Sequence, residues 1–405
     1  MGIFSGGFTA TVAEALGVIR PELDALVRVN LVQRDGSGGR YELLETVRAV
    51  ALEQLAGSGE SEAVHLAHAR YYREAREGYD WNEWAWMAAE VGNLRSALRW
   101  AMARQEPELA LQLTLGMSWF WESRGDQREA LSWYEQALAL PGDLDPLLRL
   151  RGLYGAATPA WQMGLFGRVQ ALLQECLDLA RDGGWPDWQG RALMALGRVA
   201  LEQGHATRAL DHLHPGLELV RQHGDAFDQV ATLYHLADAS LAEGHHDHAR
   251  AYAEEALDLC CIHPGLFWHR LVQTLLGELA LAQGQFAEAR AYLAQANDQS
   301  GHWRSSSIVL AVQATCFAVP GADEQDLMHA ARLWGAIEAH EDARAQRFSV
   351  PYQARLDRYV QSAQARLPKA TWDRAWAEGR EMGLQGAVVA ARPPQVSHDH
   401  PEEQC

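Results

Sequence analysis

Lysine is almost missing from this sequence. Lys369 is the single one in 405 residues, so arginine carries the rest of the 35 basic charges against 53 acids. The net charge is −18, and an acidic surface with so little lysine suits neither the phosphate backbone of a nucleic acid nor an anionic membrane. Direct nucleic-acid binding is not expected. No run of about 18 apolar residues occurs, so nothing is expected to span a bilayer. The amino end, MGIFSGGFTATVAEALG, lacks the basic and long apolar regions of a signal peptide. Five cysteines (Cys176, Cys260, Cys261, Cys316 and Cys405) form no CxxC pair, which reads as buried free thiols in a reducing, cytoplasmic setting. Catalytic signatures are lacking as well. There is no GxSxG, no HExxH and no dinucleotide-type GxGxxG in context. There is also no GxxxxGK[ST], and Lys369 lies in PKATW rather than in a glycine-rich loop. The expected activity is therefore non-enzymatic, without ATP hydrolysis and without a cofactor.

What the sequence does have is a recurring glycine. Gly125, Gly164, Gly204, Gly244 and Gly284 follow one another at 39, 40, 40 and 40 residues. Seven residues before each lies a small residue: Ser118, Ala157, Gly197, Ala237 or Gly277. Five residues after each lies Ala130, Val169, Ala209, Ala249 or Ala289. The segments on either side of each glycine read as helices, such as LLGELALAQG and QFAEARAYLAQA. A helix–turn–helix unit repeated at this period means a solenoid. The small–x6–Gly–x4–Ala pattern resembles the tetratricopeptide repeat, where small residues let two helices approach and the glycine ends the first. The resemblance implies an all-α, right-handed helical solenoid over residues 106–300. A degenerate repeat and carboxyl-terminal helical cap are expected over 301–391, with Gly321 37 residues after Gly284, and Trp372 and Trp376 on one helical face. Residues 392–405 read as a disordered tail.

Residues 1–57 follow a different pattern. PELDALVRVNLV places Leu23, Leu26, Val27 and Leu31 at helical spacing. LVQRD, the turn Gly36–Gly39 and RYELL then read as a hairpin, and ETVRAVALEQLAG as a helix ending at Gly57. This is a winged-helix order. From Met1 to Glu60 there are five arginines against eight acids, whereas a DNA-reading module carries a basic face. A packing or regulatory role is expected instead, with DNA binding as an alternative. Residues 58–105 read as a helical connector and amino-terminal cap. Trp81, Trp84 and Trp86 could form a cation cage, but large aromatics usually bury, and seating the first repeat is the expected role.

The sequence offers two kinds of candidate site. His245, His246 and His248 cluster with Asp247 in GHHDHAR, but adjacent side chains at an exposed turn point apart and do not converge on a metal. No metal site is expected. The first helices of stacked repeats line a concave groove, and tetratricopeptide geometry assigns its positions. They are Trp119 and Glu122 in the first unit, and Arg151, Tyr154, Thr158, Trp161 and Gln162 in the second. Arg191, Met194, Arg198 and Glu202 follow in the third, Tyr234 and Asp238 in the fourth, and Thr274 and Glu278 in the fifth. Arg151, Arg191 and Arg198 would form a cationic patch for a peptide or acidic ligand. The plainer alternative pairs them with acids such as Glu202 and Asp238.

FSGGFT (Phe4 to Thr9), LDALVRVNLVQRD, RYELLETVRAVALEQL, HARYYREA (His68 to Ala75) and EVGNLRSALRWA (Glu90 to Ala101) resemble the winged-helix and connector segments of bacterial STAND-class predicted ATPases. Those proteins include LuxR-type and AfsR-like transcriptional regulators. ATWDRAWAEGREM resembles the family's segment beyond the repeats. The resemblance covers the carboxyl-terminal half of the family's plan, without its NB-ARC nucleotide-binding module. It implies a sensor and scaffold whose repeats bind a protein, peptide or small inducer, with a separately encoded nucleotide module as a further partner. A stand-alone tetratricopeptide adaptor is the alternative.

Overall fold

The computed structural model describes residues 1–35, 39–77, 84–263, 268–298, 311–344 and 350–390. The chain forms two compact units, Met1–Gly183 and Gly184–Cys405. Helix dominates both.

The first unit begins with a small sheet. Strands β1 (Phe8–Thr9), β2 (Val32–Arg34) and β3 (Arg40–Leu43) pair antiparallel in the order β1-β3-β2. Helices Ala10–Ala15 and Arg20–Arg28 lie between β1 and β2, and Glu45–Gly57 follows β3. The expected helix, two strands and helix follow one another in that order, with a further strand and short helix before them. Phe8 pairs with Tyr41, so the FSGGFT phrase closes the sheet. The Phe4 and Phe8 rings stack at 4.5 Å over a core containing Val12, Leu23 and Val32. Of the four apolar residues expected on the second helix, only Leu23 is fully buried. Leu31 lies beyond the helix end at Arg28 and is exposed. Residues 36–38 of the hairpin turn lie outside the described residues. So do Trp81 and the side chain of Trp84, and the expected cage with them.

A buried polar network ties this sheet to the connector helices Ser61–Glu77 and Trp84–Ala103. The Glu90 carboxylate is withdrawn from water and accepts from the Tyr72 hydroxyl (2.7 Å), from Asn93 Nδ2 (2.7 Å) and from the Arg40 guanidinium. Asn93 Nδ2 also donates to the Gly7 carbonyl at 2.8 Å, and its Oδ1 accepts from the Ser5 amide at 2.6 Å. Gly92 has no room for a Cβ because the Ser5 carbonyl lies against it. A buried carboxylate persists only when its charge is met by donors, and Tyr72, Asn93 and Arg40 supply them here.

Helix pairs follow. In the first unit they are Pro107–Arg124 with Gln127–Leu138 and Pro146–Gln162 with Phe166–Asp182. In the second unit they are Pro186–Glu202 with Ala206–His223, Ala226–Ala242 with His246–Ile262, and Trp268–Ala282 with Phe286–Asp298. Proline at the first helical position starts three of the first helices, where its missing N–H costs nothing. The recurring glycine ends them. Gly204 has φ 81°, its amide donates to the Leu201 carbonyl at 2.8 Å, and His205 donates to Ala200 at 2.8 Å. This double closure needs a left-handed residue after the helix. The same pair of bonds recurs at Gly164, Gly244 and Gly284.

The small residue is where the two helices of a pair meet. A Cβ on Gly197 would lie 2.5 Å from Leu213 Cγ, and one on Gly277 3.0 Å from Leu293 Cγ. Ala157 and Ala237, and the five residues that follow the turn glycines, are all buried. Beyond the repeats of the second unit come a helical stretch at 311–317 and helices Glu324–Arg344, Val350–Gln364 and Lys369–Ala390. The first and last of these three approach through Gly335 and Gly379, each facing backbone of the other helix. Trp372 is buried beside Trp334 and Trp376, with ring centroids at 6.0 and 5.6 Å. Cys176, Cys260 and Cys316 are buried free thiols, whereas Cys261, against expectation, is disulfide-bonded.

Gly197→Val is expected to lower stability by about 1–3 kcal/mol through overpacking. Gly167→Ala, which faces open space within a helix, is expected to leave stability unchanged or raise it slightly. Urea unfolding followed by circular dichroism compares the two.

Candidate binding face

In the first unit, helix Pro107–Arg124 carries Trp119 half-buried and Glu122 exposed. Helix Pro146–Gln162 carries Arg151 exposed and Tyr154, Thr158, Trp161 and Gln162 half-buried. In the second unit the first helices bring several of the assigned positions together. Arg198, Asp238 and Glu278 occupy one repeat position, 40 residues apart, so their side chains leave successive first helices in the same direction. Glu202 and Tyr234 lie within electrostatic reach of Asp238. Met194 and Thr274 are instead buried.

Arg191 is engaged by acids of the next repeat. Its Nε donates to Asp228 at 2.7 Å, its Nη2 meets Asp225 at 3.5 Å, and its guanidinium lies 5.0 Å over the Trp188 ring. The partners are not Glu202 and Asp238, and Arg191 is not a free element of a cationic patch. Asp225 is placed by its own role, since its carboxylate caps the Ala226–Ala242 helix through the Asp228 amide at 2.9 Å.

The cation that meets Asp238 and Glu278 comes from elsewhere. Arg355, on helix Val350–Gln364, donates through Nε to Glu278 at 2.6 Å and through Nη2 to Asp238 at 2.9 Å. Its side chain is 11% exposed, against 8% for Glu278 and 17% for Asp238. The guanidinium also lies 5.4 Å from the Tyr352 ring centroid. Tyr352, Leu356 and Tyr359 of the same helix line a cleft with Glu278, Leu281, Val312 and Thr315.

Burial governs the ionisation of this cluster. It pushes the Glu278 carboxyl up, and the nearby Arg355 charge only partly offsets it. It raises the Tyr234 and Tyr352 hydroxyls, with the acids adding to the shift. Burial alone would lower the Arg355 guanidinium, but Glu278 and Asp238 more than compensate and hold it charged. Glu202 is pushed up to about 7 by burial and by Asp238, against the pull of Arg198. His235 is pushed down to about 3 by burial and Arg198, and its ring packs 5.7 Å from Trp268. Among the described residues no group of three or more His, Cys, Asp and Glu is placed to hold a metal ion, and no helix is long and apolar enough to cross a membrane.

Nothing local in the sequence places the helix Val350–Gln364 at this face. Arg355 is 117 residues from Asp238, and no local pattern announces so distant a partner. The available signal was the pair of acids at one repeat position, because neighbouring buried carboxylates require a cation.

A tetratricopeptide repeat model matches residues 230–260, within the pair Ala226–Ala242 and His246–Ile262. Over 152 residues the chain is 34% identical to proteins of Mycobacterium bovis and Mycobacterium tuberculosis that carry the provisional name HTH-type transcriptional regulator. The match covers 33% of this chain and spans only 17% of theirs. Among solved structures, the apo form of RapI superposes with a TM-score of 0.52 at 11% identity, over 88% of this chain and 98% of that one. A Rap protein complexed with Competence and Sporulation Factor gives 0.50 at 14% identity, over 86% and 99%. At such identities the likeness is one of fold. The chain is a tetratricopeptide-like helical-repeat protein.

Glu202→Gln tests the electrostatics of the face. A carboxyl whose pKa rises from 4.5 to about 7 on folding binds its proton more tightly in the folded state, so it takes stability away as pH climbs through that window. At pH 8 the ionised form is destabilising, and Glu202→Gln is expected to stabilise by about 1–3 kcal/mol, at about 1.4 kcal/mol per pKa unit. The gain should vanish below about pH 4.5, where the acid is protonated in both states. Thermal melts at pH 4.5, 6 and 8 measure it.

Proposed function

We propose that this chain is a non-enzymatic scaffold that binds a protein or peptide on the first-helix face of its repeats, and that it acts as the sensor region of a STAND-type transcriptional regulator. One observation carries the binding reading. Asp238 and Glu278, side by side on successive repeats, already hold a helical segment by its guanidinium. A face that takes up a helix through charge-assisted hydrogen bonds has the chemistry of a recognition surface.

The regulator reading is supported by the 34% identity to the mycobacterial proteins. It is also supported by the phrases that resemble the STAND family. FSGGFT, RYELL, HARYYREA and EVGNLRSALRWA all contribute to the Glu90 network or to the sheet it anchors. In such a sensor the partner must prefer one of two states, by about 1.4 kcal/mol for each tenfold bias. The stand-alone adaptor is the second reading. It is favoured by the tetratricopeptide match at residues 230–260, which asks for a binding face and nothing further.

The test is selection of a random peptide library on the immobilised chain, with counter-selection on Asp238→Asn/Glu278→Gln. The expected outcome is a family of peptides that bind the wild type and lose at least about tenfold in affinity on the double variant, as loss of charged partners predicts. If no peptide distinguishes the two proteins, the face is not a binding site.

A further inference from the structure

We propose that the first-helix face of the third to fifth repeats is a docking site for an arginine-bearing amphipathic helix of a partner protein, and that the chain's own helix Val350–Gln364 holds this site as an intramolecular competitor. The inference rests on the binding reading above and adds the chemistry of the ligand.

The face selects for a guanidinium. Asp238 and Glu278 leave neighbouring repeats at equivalent positions and converge on one cation, with both carboxylates largely withdrawn from water. Two such carboxylates with nothing between them would repel and be poorly solvated. A planar fork of N–H donors satisfies both at once, which an ammonium point charge does less well. Arg355 does this with Nε and Nη2, while its Nη1 is buried without a hydrogen-bond partner among the described residues. Glu202 extends the acidic character of the face, within the fields of both Arg198 and Asp238.

The occupant shows what shape fits. Tyr352, Arg355, Leu356 and Tyr359 fall at i, i+3, i+4 and i+7 of one helix, which is a single stripe. The Tyr352 ring lies against the cation, and Leu356 lines the cleft beside Leu281 and Val312. A partner helix with an arginine one turn from an aromatic would present the same stripe.

The occupant is also replaceable. Among its described side chains only Leu356 and Ala363 are fully buried; both belong to the core around Trp334, while the partly buried Tyr352 also packs against the core of the fifth repeat pair. What it contributes to the repeats is the Arg355 ion pair together with the packing of Tyr352 and Leu356 beside Leu281. Exchanging one arginine for another breaks and re-forms the same bonds between the same groups, so no new charge has to be desolvated. Contacts outside that pair then decide which helix is seated.

The experiment uses the full chain and a fluorescein-labelled synthetic peptide of residues 350–364, read by fluorescence anisotropy. Wild type should bind weakly, because its face is occupied. Arg355→Ala, which releases the internal helix, should bind at least about tenfold more tightly, and a peptide with alanine in place of its first arginine should lose at least about tenfold on that variant. Equal affinity for both chains, or indifference to the peptide's arginine, overturns the proposal. If Arg355→Ala loses its helical circular dichroism signal, hydrogen exchange of the wild type at about millimolar peptide decides. Amides of 350–364 should exchange faster while those of 369–390 do not change, and unchanged protection of 350–364 overturns the proposal. Library peptides that bind the wild type without an arginine, leaving 350–364 protected, would sink this inference and leave the binding reading standing.

Discussion

The close approach of two helices at one small residue sets the rest of the second unit. At Gly197 and Gly277 a leucine of the partner helix fills the space where a Cβ would stand. At Ala237 the alanine is fully buried. Each first helix is thereby fixed in rotation about its own axis, because any turn would drive a larger side chain into the contact. The left-handed glycine seven residues later fixes where the helix stops. With both rotation and end point set, residues 40 apart point the same way. The row Arg198, Asp238 and Glu278 follows from this register, as does the concentration of acid on one face.

That concentration creates an obligation elsewhere in the chain. Buried carboxylates on adjacent repeats raise one another's proton affinity and are costly to ionise without a counter-charge. Arg355 meets the obligation. Removing one member of a buried pair typically costs about 3–5 kcal/mol, whereas replacing the whole pair by apolar groups is often neutral. The arrangement therefore contributes little net stability compared with a leucine packed in its place. It contributes specificity: the segment beyond the repeats must offer an arginine at one position on one helix face.

Much of this fold was legible in the sequence because its determinants are local or periodic. Gly204 and Gly197 announce a helix end and a helix contact with no knowledge of anything distant. Trp372 and Trp376 announce one helical face, although the need for Gly335 and Gly379 opposite each other appears only when the two helices are placed. Tyr234, Asp238 and Glu278 could be assigned to a common face from repeat geometry alone. The identity of their cation could not, because Arg355 lies outside the period and is one arginine of many. That Arg191 pairs with acids agrees with the plainer reading of the sequence, but which acids is not readable there. Asp228 and Asp225 sit at the start of the next first helix, a position that the groove pattern does not count. The Glu90 network was visible only as four phrases of unexplained distinctiveness, and its function as a joint emerges when Tyr72, Asn93, Arg40 and the backbone of residues 5–7 meet.

A tethered occupant sets a threshold for any competitor. A segment of the same chain meets its site at an effective concentration on the order of millimolar, so a partner helix with only the same contacts would have to be present at comparable levels to displace it. A partner that works at lower concentration must touch what Val350–Gln364 leaves unsatisfied. The Glu202 carboxylate, raised by burial and only partly offset by Arg198, is one such group, and the buried Arg355 Nη1 marks another position where a differently placed donor fork could gain a bond. A partner whose second cation met Glu202 would turn its unfavourable ionisation into a favourable pair. The same arrangement would make displacement easier as pH rises through about 7, since only the ionised Glu202 attracts that second charge.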